Sequence, residues 1–334
     1  MSSPQAMQDQ ALDSALSAMR RFSDNPSAYL ALNQGNQLFT TPRVDGFVAY
    51  REVGRCWIQF GGPVAAAEQR GTLLQEYLDE AARRRRRVLA LQVQHDDAVL
   101  YAERGMRVNQ IGASYAVDLA AMTLKGKRFV SLRNKISRAT RAGLVITEVD
   151  AAAHLDRIDE IDRVWLRQKG RHVKELQFLV GEIGGPVQRH RTLFLGTIDG
   201  APVGYVSYAP VHGSRPGWLH DLSRRTPEAP PGVMEAINRH ACTRFREAGS
   251  EWLHFGFTPF TSLDPAHELA TASTPISKVV GLLGRYGSVV YPSATQLEYK
   301  MKWYPEAVIP EYMAYDTWFH PRLVWAMLRV TNSV

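Results

Sequence analysis

Two ionisable residues of opposite charge, Asp221 and Arg224, stand where a predicted strand ends. The strand begins near Trp218, and a Pro-rich loop that closes with Pro230-Pro231-Gly232 follows it. Ligands of open α/β sheets bind outside the carboxyl ends of strands. A carboxylate that can take up a proton and a guanidinium that can bind an anion therefore suggest a reaction site at this point. The alternative is a salt bridge that anchors the loop.

A basic segment offers a second kind of chemistry, the binding of phosphate. Residues 125–143 include seven Lys or Arg and no acidic residue. Asn134, Arg138 and Arg141 follow the i, i+4, i+7 spacing that places side chains on one helix face, and Gly143 fits the position after a helix end. Unopposed positive charge on one face repels itself unless an anion neutralises it. The segment is the strongest phosphate-binding candidate in the chain, with a merely solvated helix as the alternative.

Hydrophobic periodicity predicts the elements that must position these residues. Strands are predicted at 37–40, 46–51, 55–60, 88–94, 113–119, 192–198, 202–210, 218–225, 252–256 and 294–302, and helices at 66–84, 96–104, 155–169, 233–248 and 276–286. Asp199-Gly200 predicts a type I′ hairpin. Lys300 and Lys302, two residues apart on the last predicted strand, would point to one face.

The order of these elements predicts the fold class and the domains. From residue 151 the order is that of a GNAT-type acyltransferase, and the first half follows a similar order without a sequence repeat. We expect an α/β (α+β) protein with two tandem GNAT-like domains, each a mixed sheet flanked by helices. The ranges are a lead-in at 1–26, a first domain at 27–145, a second, catalytic domain at 146–305 and an aromatic tail at 306–334. The tail, with Arg322 and Arg329 among its aromatic residues, suits either a membrane interface or packing against the domain.

Composition bounds the partners and the compartment. The chain has 334 residues, 45% of them hydrophobic, a net charge of +7 and a pI of about 9.4. RNA, a phospholipid surface or a phosphate ester would suit that charge, and ordinary solubility would also explain it. The two cysteines, Cys56 and Cys242, stand in unrelated contexts and predict a reducing compartment. No signal peptide and no run of ~20 apolar residues is present, so we expect a cytoplasmic protein that contacts membranes at most peripherally.

Several familiar motifs are absent. The chain has no G-x-G-x-x-G after a strand, no Walker A sequence, no H-E-x-x-H and no G-x-S-x-G. Coenzyme A would need a cradle of free N–H groups at a helix N-terminus, but the loop at 226–232 is Pro-rich and carries an acid. We therefore expect neither a cofactor nor a metal, and we interpret His220 and His254 as structural.

Short motifs in a fixed order give the chain a family resemblance. Over residues 29–312 it resembles the catalytic domain of bacterial phosphatidylglycerol lysyltransferases and alanyltransferases. The motifs are Gly61-Gly62-Pro63-Val64, Lys125-Gly126-Lys127, Leu132-Arg133, Arg138-x-x-Arg141-x-Gly143, Trp165-Leu166, Lys174-Glu175-x-x-Phe178, Asp221-Leu222-x-Arg224, Pro231-Gly232-x-Met234, Gly256-x-x-Pro259 and Lys300-x-Lys302-x-x-Pro305. The family has Gly-Asp-Pro-Val at the first of them, so Gly62 replaces an acid. The integral membrane domain that many members carry is not part of this sequence.

The resemblance implies an active site near the junction of two GNAT-like domains. It also implies an aminoacyl-tRNA donor and a lipid hydroxyl acceptor, such as phosphatidylglycerol, at the inner membrane leaflet. Asp221 would be the general base or the anchor of the aminoacyl amino group, with Glu175 as the competing carboxylate. Arg224, Lys300 and Lys302 would bind the phosphate of the tRNA 3′ end or of the lipid. The further residues expected to bind substrate are Lys174, Arg133, Arg138, Arg141 and Gly256.

Three other functions stay open on the sequence. The acceptor of an aminoacyl or peptidyl group could be a small molecule instead of a lipid. The chain could be an acyl-CoA acetyltransferase, although its Pro-rich loop disfavours that. It could also be a membrane- or RNA-binding module without catalysis. The sequence does not identify the transferred amino acid.

Overall fold

A computed structural model describes residues 4–169, 177–286 and 293–333 of the chain. Its strands are β1 (Gln37–Thr41), β2 (Val44–Val53), β3 (Cys56–Ala65), β4 (Arg87–Val93), β5 (Arg107–Asp118), β6 (Val145–Val149), β7 (Thr192–Ile198), β8 (Ala201–Val211), β9 (Gly217–Arg225), β10 (Trp252–Pro259) and β11 (Ala307–Tyr315). Its helices are α1 (Pro4–Phe22), α2 (Ala67–Arg83), α3 (His95–Glu103), α4 (Val130–Arg141), α5 (Leu155–Lys169), α6 (Val233–Glu247), α7 (Thr274–Tyr286), α8 (Ser293–Met301) and α9 (Pro321–Val330).

The described strands form one continuous mixed sheet. Its order is β1-β2-β3-β4-β11-β5-β10-β9-β8-β7-β6. The same order of elements occurs twice. In each half an antiparallel meander leads into a strand, a helix and a second strand parallel to the first, namely β3-α2-β4 and β9-α6-β10. The predicted fold class, α/β with two halves of GNAT-like order, is confirmed. The two halves share a single sheet through the β5–β10 ladder.

The last strand of the sheet is not where the sequence predicted it. Residues 294–302 were expected to be a strand, but α8 occupies them. Leu297 and Tyr299 pack against the core from this helix, and residues with good helix propensity surround them. The strand is β11, which lies within the tail range 306–334 and pairs antiparallel with both β4 and β5.

The tail therefore supplies both core and surface. Tyr312 and Tyr315 are fully buried, whereas Trp318 and Trp325 are 53% and 56% exposed. Helix α9 covers β2 and β3 with its buried face. The division of the chain at 145/146 and at 305/306 stays a prediction. Strand β11, which follows the second boundary, returns to the first half and pairs there with β4 and β5.

Helices cover both faces of the sheet. In the first half α2 and α3 pack on one face, and α1 and α9 pack on the other. In the second half α4, α6 and α8 cover one face, while α5 covers the opposite face. None of the helices described for this chain combines the length and the apolar character that a bilayer span requires.

Local signals in the sequence are confirmed at two turns. Asp199 and Gly200 have φ values of 50° and 79° between β7 and β8, as a type I′ turn requires. After α4, Gly143 has φ 83°, its N–H donates to the carbonyl of Thr140, and the N–H of Leu144 donates to that of Ala139. That pattern is the Schellman ending that a glycine permits.

Candidate active site

The site begins where two parallel strands part. Strands β9 and β10 pair only over residues 217–219 and 252–254. Beyond them β9 stays with β8, and β10 stays with β5. A β-bulge at Phe255 and a left-handed Gly256, with φ 66°, turn β10 away from its neighbour. The divergence leaves a gap in the sheet.

A cavity of about 540 Å³ fills this gap. On one side of the sheet its walls come from the turn at 28–32, from β4 and from residues 179–180. On the other side they come from α4, α8 and the N-terminus of α6. The cavity therefore reaches through the sheet between β9 and β10. Of the predicted site residues it is lined by Asp221, Gly256, Lys300 and Lys302.

Asp221 is the extra residue of a bulge in β9 and is buried. Ser207 pairs with Leu222 and Tyr208 with His220, which leaves Asp221 unpaired in the ladder. Its side chain is 2% exposed and accepts a hydrogen bond from Arg191 Nε at 3.1 Å. Burial raises the pKa of the Asp221 carboxyl, while the charge and hydrogen bond of Arg191 act in the opposite direction.

The ion pair of Asp221 is fixed by neighbours that come from distant parts of the chain. Arg191 Nη2 donates to Asn33 Oδ1 at 2.9 Å, and Asn33 Nδ2 donates to the carbonyl of Val180 at 2.9 Å. Gly181 packs on the carboxylate so closely that a side chain there would collide with it. Asp221 thus lines the cavity and also supports residues 180–181 in its wall.

Arg224 does not pair with Asp221, contrary to the sequence prediction of a joint acid–base pair at a strand exit. Strand β9 continues to Arg225, so neither residue lies in the loop. Arg224 Nη1 lies 2.7 Å from Asp162 Oδ2 on α5, and its guanidinium stacks over Trp165. In the described chain Arg224 is not among the residues that line the cavity.

Lys300 is buried at the edge of the gap. Its Nζ donates to the carbonyls of Gly256 at 2.7 Å and Phe257 at 3.1 Å. Burial lowers the pKa of Lys300 to about 7, and the nearby Glu311 carboxylate acts against that shift. Burial likewise raises the pKa of Glu311 to about 7, opposed first by its hydrogen bond from Ser114. Near neutral pH the Lys300 amine is therefore present in both of its protonation states.

Lys302 belongs to a different group of charges. The prediction that Lys300 and Lys302 share a strand face is wrong, because α8 ends between them and sends their side chains apart. Lys302 Nζ lies 3.9 Å from Glu235 and 3.4 Å from Glu298. Lys135 on α4 also approaches Glu235, at 3.5 Å. These residues line the cavity beside the first turn of α6, whose N-terminus favours anions.

The remaining predicted binding residues lie elsewhere. Arg133 donates to the carbonyls of Leu124 and Gly126, and so holds the loop before α4. Arg138 and Arg141 are exposed on α4, on the face that their spacing predicted. Lys174 and Glu175 lie outside the described residues.

Two histidines match the structural interpretation. His220 Nδ1 is 3.0 Å from Asn238 Oδ1, and His254 Nε2 is 2.9 Å from the carbonyl of Arg215. Burial lowers the pKa of each to about 4. His220 lines the cavity, but such a weakly basic imidazole stays neutral at physiological pH.

Sequence reasoning missed two residues of the site. Arg191, the partner of Asp221, follows a Gly-rich turn and carries no motif. Lys135 was counted only as one charge of a basic segment, although Glu235 holds its side chain at the cavity. No local pattern marks either residue, because each partner lies far away in the chain.

Comparison with known proteins adds the family. The family described as "Phosphatidylglycerol lysyltransferase, C-terminal" matches residues 17–315. The chain belongs to this family. A phosphatidylglycerol lysyltransferase of Bacillus subtilis is 24% identical over 247 residues, which cover 72% of this chain and 28% of the relative. An uncharacterised protein of Corynebacterium glutamicum is 23% identical over 91% of this chain and 38% of its own length. The chain thus spans well under half of these family relatives.

Solved structures of other proteins share the fold. The C-terminal domain of a candidate lysylphosphatidylglycerol synthetase from Agrobacterium fabrum superposes with a TM-score of 0.79 at 22% identity, with 98% of both chains covered. L-PGS from Bacillus licheniformis gives a TM-score of 0.77 at 19% identity, with 98% of this chain and 97% of that chain covered. FemX gives 0.53 at 10% identity, with 93% and 96% covered. At these identities the likeness concerns the fold.

The buried ion pair yields a stability prediction. Asp221→Leu should lower the free energy of unfolding by about 3–5 kcal/mol, because it leaves the buried charge of Arg191 without a counter-ion. Arg191→Leu should lower the free energy of unfolding by a similar amount, because it leaves the Asp221 carboxylate without its counter-ion. The double variant, which removes both charges, should be closer to the wild type than either single variant. Urea denaturation followed by circular dichroism measures all three, and additive losses in the double variant would contradict the coupling.

Proposed function

We propose that this chain transfers an aminoacyl group from aminoacyl-tRNA to a hydroxyl group of an anionic phospholipid such as phosphatidylglycerol. The observation that carries the proposal is the cavity through the sheet. At its edge lies Lys300, whose pKa burial lowers to about 7, and one of its walls is cationic. Membership of the phosphatidylglycerol lysyltransferase family supports the reaction class. The ester that links an amino acid to tRNA is already activated. The protein therefore needs only to position the acceptor hydroxyl, accept its proton and stabilise the oxyanion.

Lys300 has the geometry of a general base. A neutral amine has two N–H bonds and one lone pair. The carbonyls of Gly256 and Phe257 each accept a hydrogen bond from one of these N–H groups. The lone pair is then left for the proton of an acceptor hydroxyl. The hydroxyl oxygen attacks the ester carbon, the bond to the ribose oxygen breaks, and the proton passes through Lys300 to that oxygen. A base with a pKa near the working pH is the effective kind.

The cationic wall suits the phosphate of the lipid head group. Lys135 and Lys302 lie there with the first turn of α6, and Arg225 lines the same cavity. The carboxylates of Glu235 and Glu298 lie 3.4–3.9 Å from the two ammonium groups. These distances are longer than those of ordinary direct hydrogen bonds, so the ammonium groups stay available to an anion. Asp221 as base or amino-group anchor, and Arg224, Glu175 and Lys174 as functional residues, stay predictions from the sequence.

A lipid acceptor requires contact with a bilayer, and α7 has the surface for it. Val279, Leu282 and Tyr286 are 50%, 56% and 75% exposed on one face of the helix. Lys278 and Arg285 flank them, and α7 contains no acidic residue. Apolar side chains beside cations are typical of helices that lie on anionic membranes. After α7 the chain leads to α8, which lines the cavity.

The exposed face of α4 is the candidate for the tRNA. Asn134, Arg138 and Arg141 are exposed there, and most of the affinity of such contacts comes from phosphates. We infer that α4 holds the acceptor arm while the aminoacyl end enters the cavity. Contact of α4 with the anionic leaflet is the alternative that the sequence left open.

Lipid extraction tests the function directly. The protein is incubated with each radiolabelled aminoacyl-tRNA and with vesicles of phosphatidylglycerol and phosphatidylethanolamine. We expect label in the organic phase with one or a few amino acids and only when phosphatidylglycerol is present. Label in a water-soluble adduct would favour a small-molecule acceptor, and no transfer with any aminoacyl-tRNA would reject the proposal.

The pH dependence tests Lys300 as the base. Transfer should rise as the pH increases through about 7, because the neutral amine becomes populated above the pKa of Lys300. Lys300→Arg should lose about 10²–10⁴-fold in rate at every pH, since a guanidinium does not deprotonate. Single-turnover kinetics from pH 5.5 to 8 provide the measurement. A flat profile, or wild-type rates in a folded Lys300→Arg variant, would exclude this role.

Vesicle binding tests the α7 surface. Leu282→Glu should weaken sedimentation with phosphatidylglycerol vesicles by roughly tenfold or more, because one buried leucine contributes about 1.5–3 kcal/mol. Val145→Glu is the matched control, since Val145 is 59% exposed on β6 at the far edge of the sheet. Equal losses in the two variants would show that charge alone matters and that α7 is not the contact.

A further inference from the structure

Gln92, on the first half of the chain, has a backbone that is unusual for a strand residue. Its φ is 55°, a left-handed value that residues other than glycine rarely adopt. Tyr312 pairs with Val93, whereas Ala314 pairs with Ala90, so β4 contains one more residue than β11 in this stretch. Gln92 lies in the resulting bulge, and Asn25 Nδ2 donates to its carbonyl at 2.9 Å.

The bulge changes the side of the sheet that Gln92 faces. Leu89 and Leu91 belong to the core under α1 and α9, and Ala90 and Val93 belong to the core under α2 and α3. Regular alternation would send Gln92 to the α2 side together with Ala90. Instead it lines the large cavity together with Leu30, Leu179 and Leu219 of the opposite core. Strain that re-aims one polar side chain into a cavity is typical of functional sites.

The side-chain oxygen of Gln92 has no hydrogen-bond donor among the described residues. The residue is 1% exposed, so this Oε1 atom is buried. A buried acceptor without a donor destabilises the folded protein. A strained backbone and an unsatisfied acceptor at one position, both facing one cavity, indicate that a ligand completes the interaction.

The charges around the cavity identify the ligand group. On the side of the sheet that Gln92 faces, the polar side chains of the wall are Ser27, Gln92 and Asp221, and none of the lysines or arginines described in the structure lines that side. All three side chains can accept a hydrogen bond. The cations lie on the other side, with α4, α6 and α8, where they outnumber the carboxylates of Glu235 and Glu298. One side therefore suits an ammonium group and the other suits a phosphate.

We propose that Gln92 binds the ammonium group of the aminoacyl substrate through its side-chain carbonyl. The proposal rests on the proposed function for the identity of that substrate. It assigns to the first half of the molecule a substrate-binding residue for a reaction whose other groups come from the second half. The donor and the acceptor would then enter the cavity from opposite sides of the sheet.

Calorimetry with amino acid amides tests this assignment without tRNA or lipid. Lysinamide and alaninamide carry the ammonium group, and glycerol 1-phosphate carries the hydroxyl and phosphate groups of the lipid. Gln92→Leu should weaken binding of an amide by roughly 10- to 100-fold and leave the affinity for glycerol 1-phosphate unchanged. Gln92→Glu keeps an acceptor and should retain amide binding.

Gln59 provides the matched control. It is a buried glutamine on the neighbouring strand β3, and its Nε2 atom donates to the carbonyl of Gly61 at 2.8 Å and to the hydroxyl of Tyr101. Gln59→Leu should lower the melting temperature and leave amide binding unchanged. Gln92→Leu should keep or raise the melting temperature, because it removes an acceptor that has no donor in the free protein.

The outcomes separate this inference from the proposed function. Amide binding that is equal in Gln92→Leu and the wild type, or absent in the wild type, overturns the role of Gln92. A loss of glycerol 1-phosphate binding in place of amide binding overturns it as well. If amide binding depends on Gln92 but no aminoacyl-tRNA yields a labelled lipid, the inference stands and the proposed function fails.

Discussion

The site depends on the separation of two strands that run side by side for only three residues. A parallel ladder that continued would satisfy the backbone groups of β9 and β10 and close the sheet. Glycines mark both ends of the short ladder. Gly217 lies so close to the carbonyl of Trp252 that a side chain would collide with it, and Gly256 turns β10 away at φ 66°. The carbonyls of Gly256 and Phe257, which the missing ladder frees, become the acceptors for Lys300.

Burial of ionisable groups is the cost of this arrangement, and each group is compensated differently. Asp221 is matched by Arg191 with a direct hydrogen bond. Within the part of the chain that the structure describes, Lys300 has no such contact with a carboxylate. Its ammonium group relies on backbone carbonyls, and Glu311 acts at longer range. An ammonium group that is desolvated but only partly neutralised loses its proton more easily. This difference between a fully paired and a partly paired charge is the reason why we propose Lys300 as the base.

The sequence predicts elements with strong periodicity and fails where partners are remote. Helix α6 was expected at 233–248 and α5 at 155–169, and both are confirmed within one residue. The α4 stop at Gly143 and the turn at Asp199-Gly200 follow from local backbone requirements, so they too were predictable. Helix α8 was interpreted as a strand because its nine residues are too few to establish a period.

The residues of the site also fall into those that a local motif marks and those that only remote contacts reveal. Asp221, Lys300 and Lys302 stand in short motifs and line the cavity. Arg224 carries an equally clear motif but pairs with Asp162, a contact that only the packing of α5 reveals. Arg191 and Gln92 carry no motif. The first is identified by an ion pair across 30 residues, and the second by a bulge that depends on the pairing of β4 with a strand from the C-terminus.

The repeated order of elements gives each half a gap between two parallel strands, but the two gaps differ in size. In the first half, β3 and β4 also part, after Phe60 and Leu91, but the cavity there is only about 190 Å³. Asp97 occupies the space next to Gly62, where the family resemblance places an acid, and Arg70 holds it at 2.9 Å. A larger residue at position 62 would collide with that carboxylate. An ion pair thus reduces the opening of the first half. Under our proposal this half takes part in the reaction through Gln92, whose side chain the bulge directs into the neighbouring cavity.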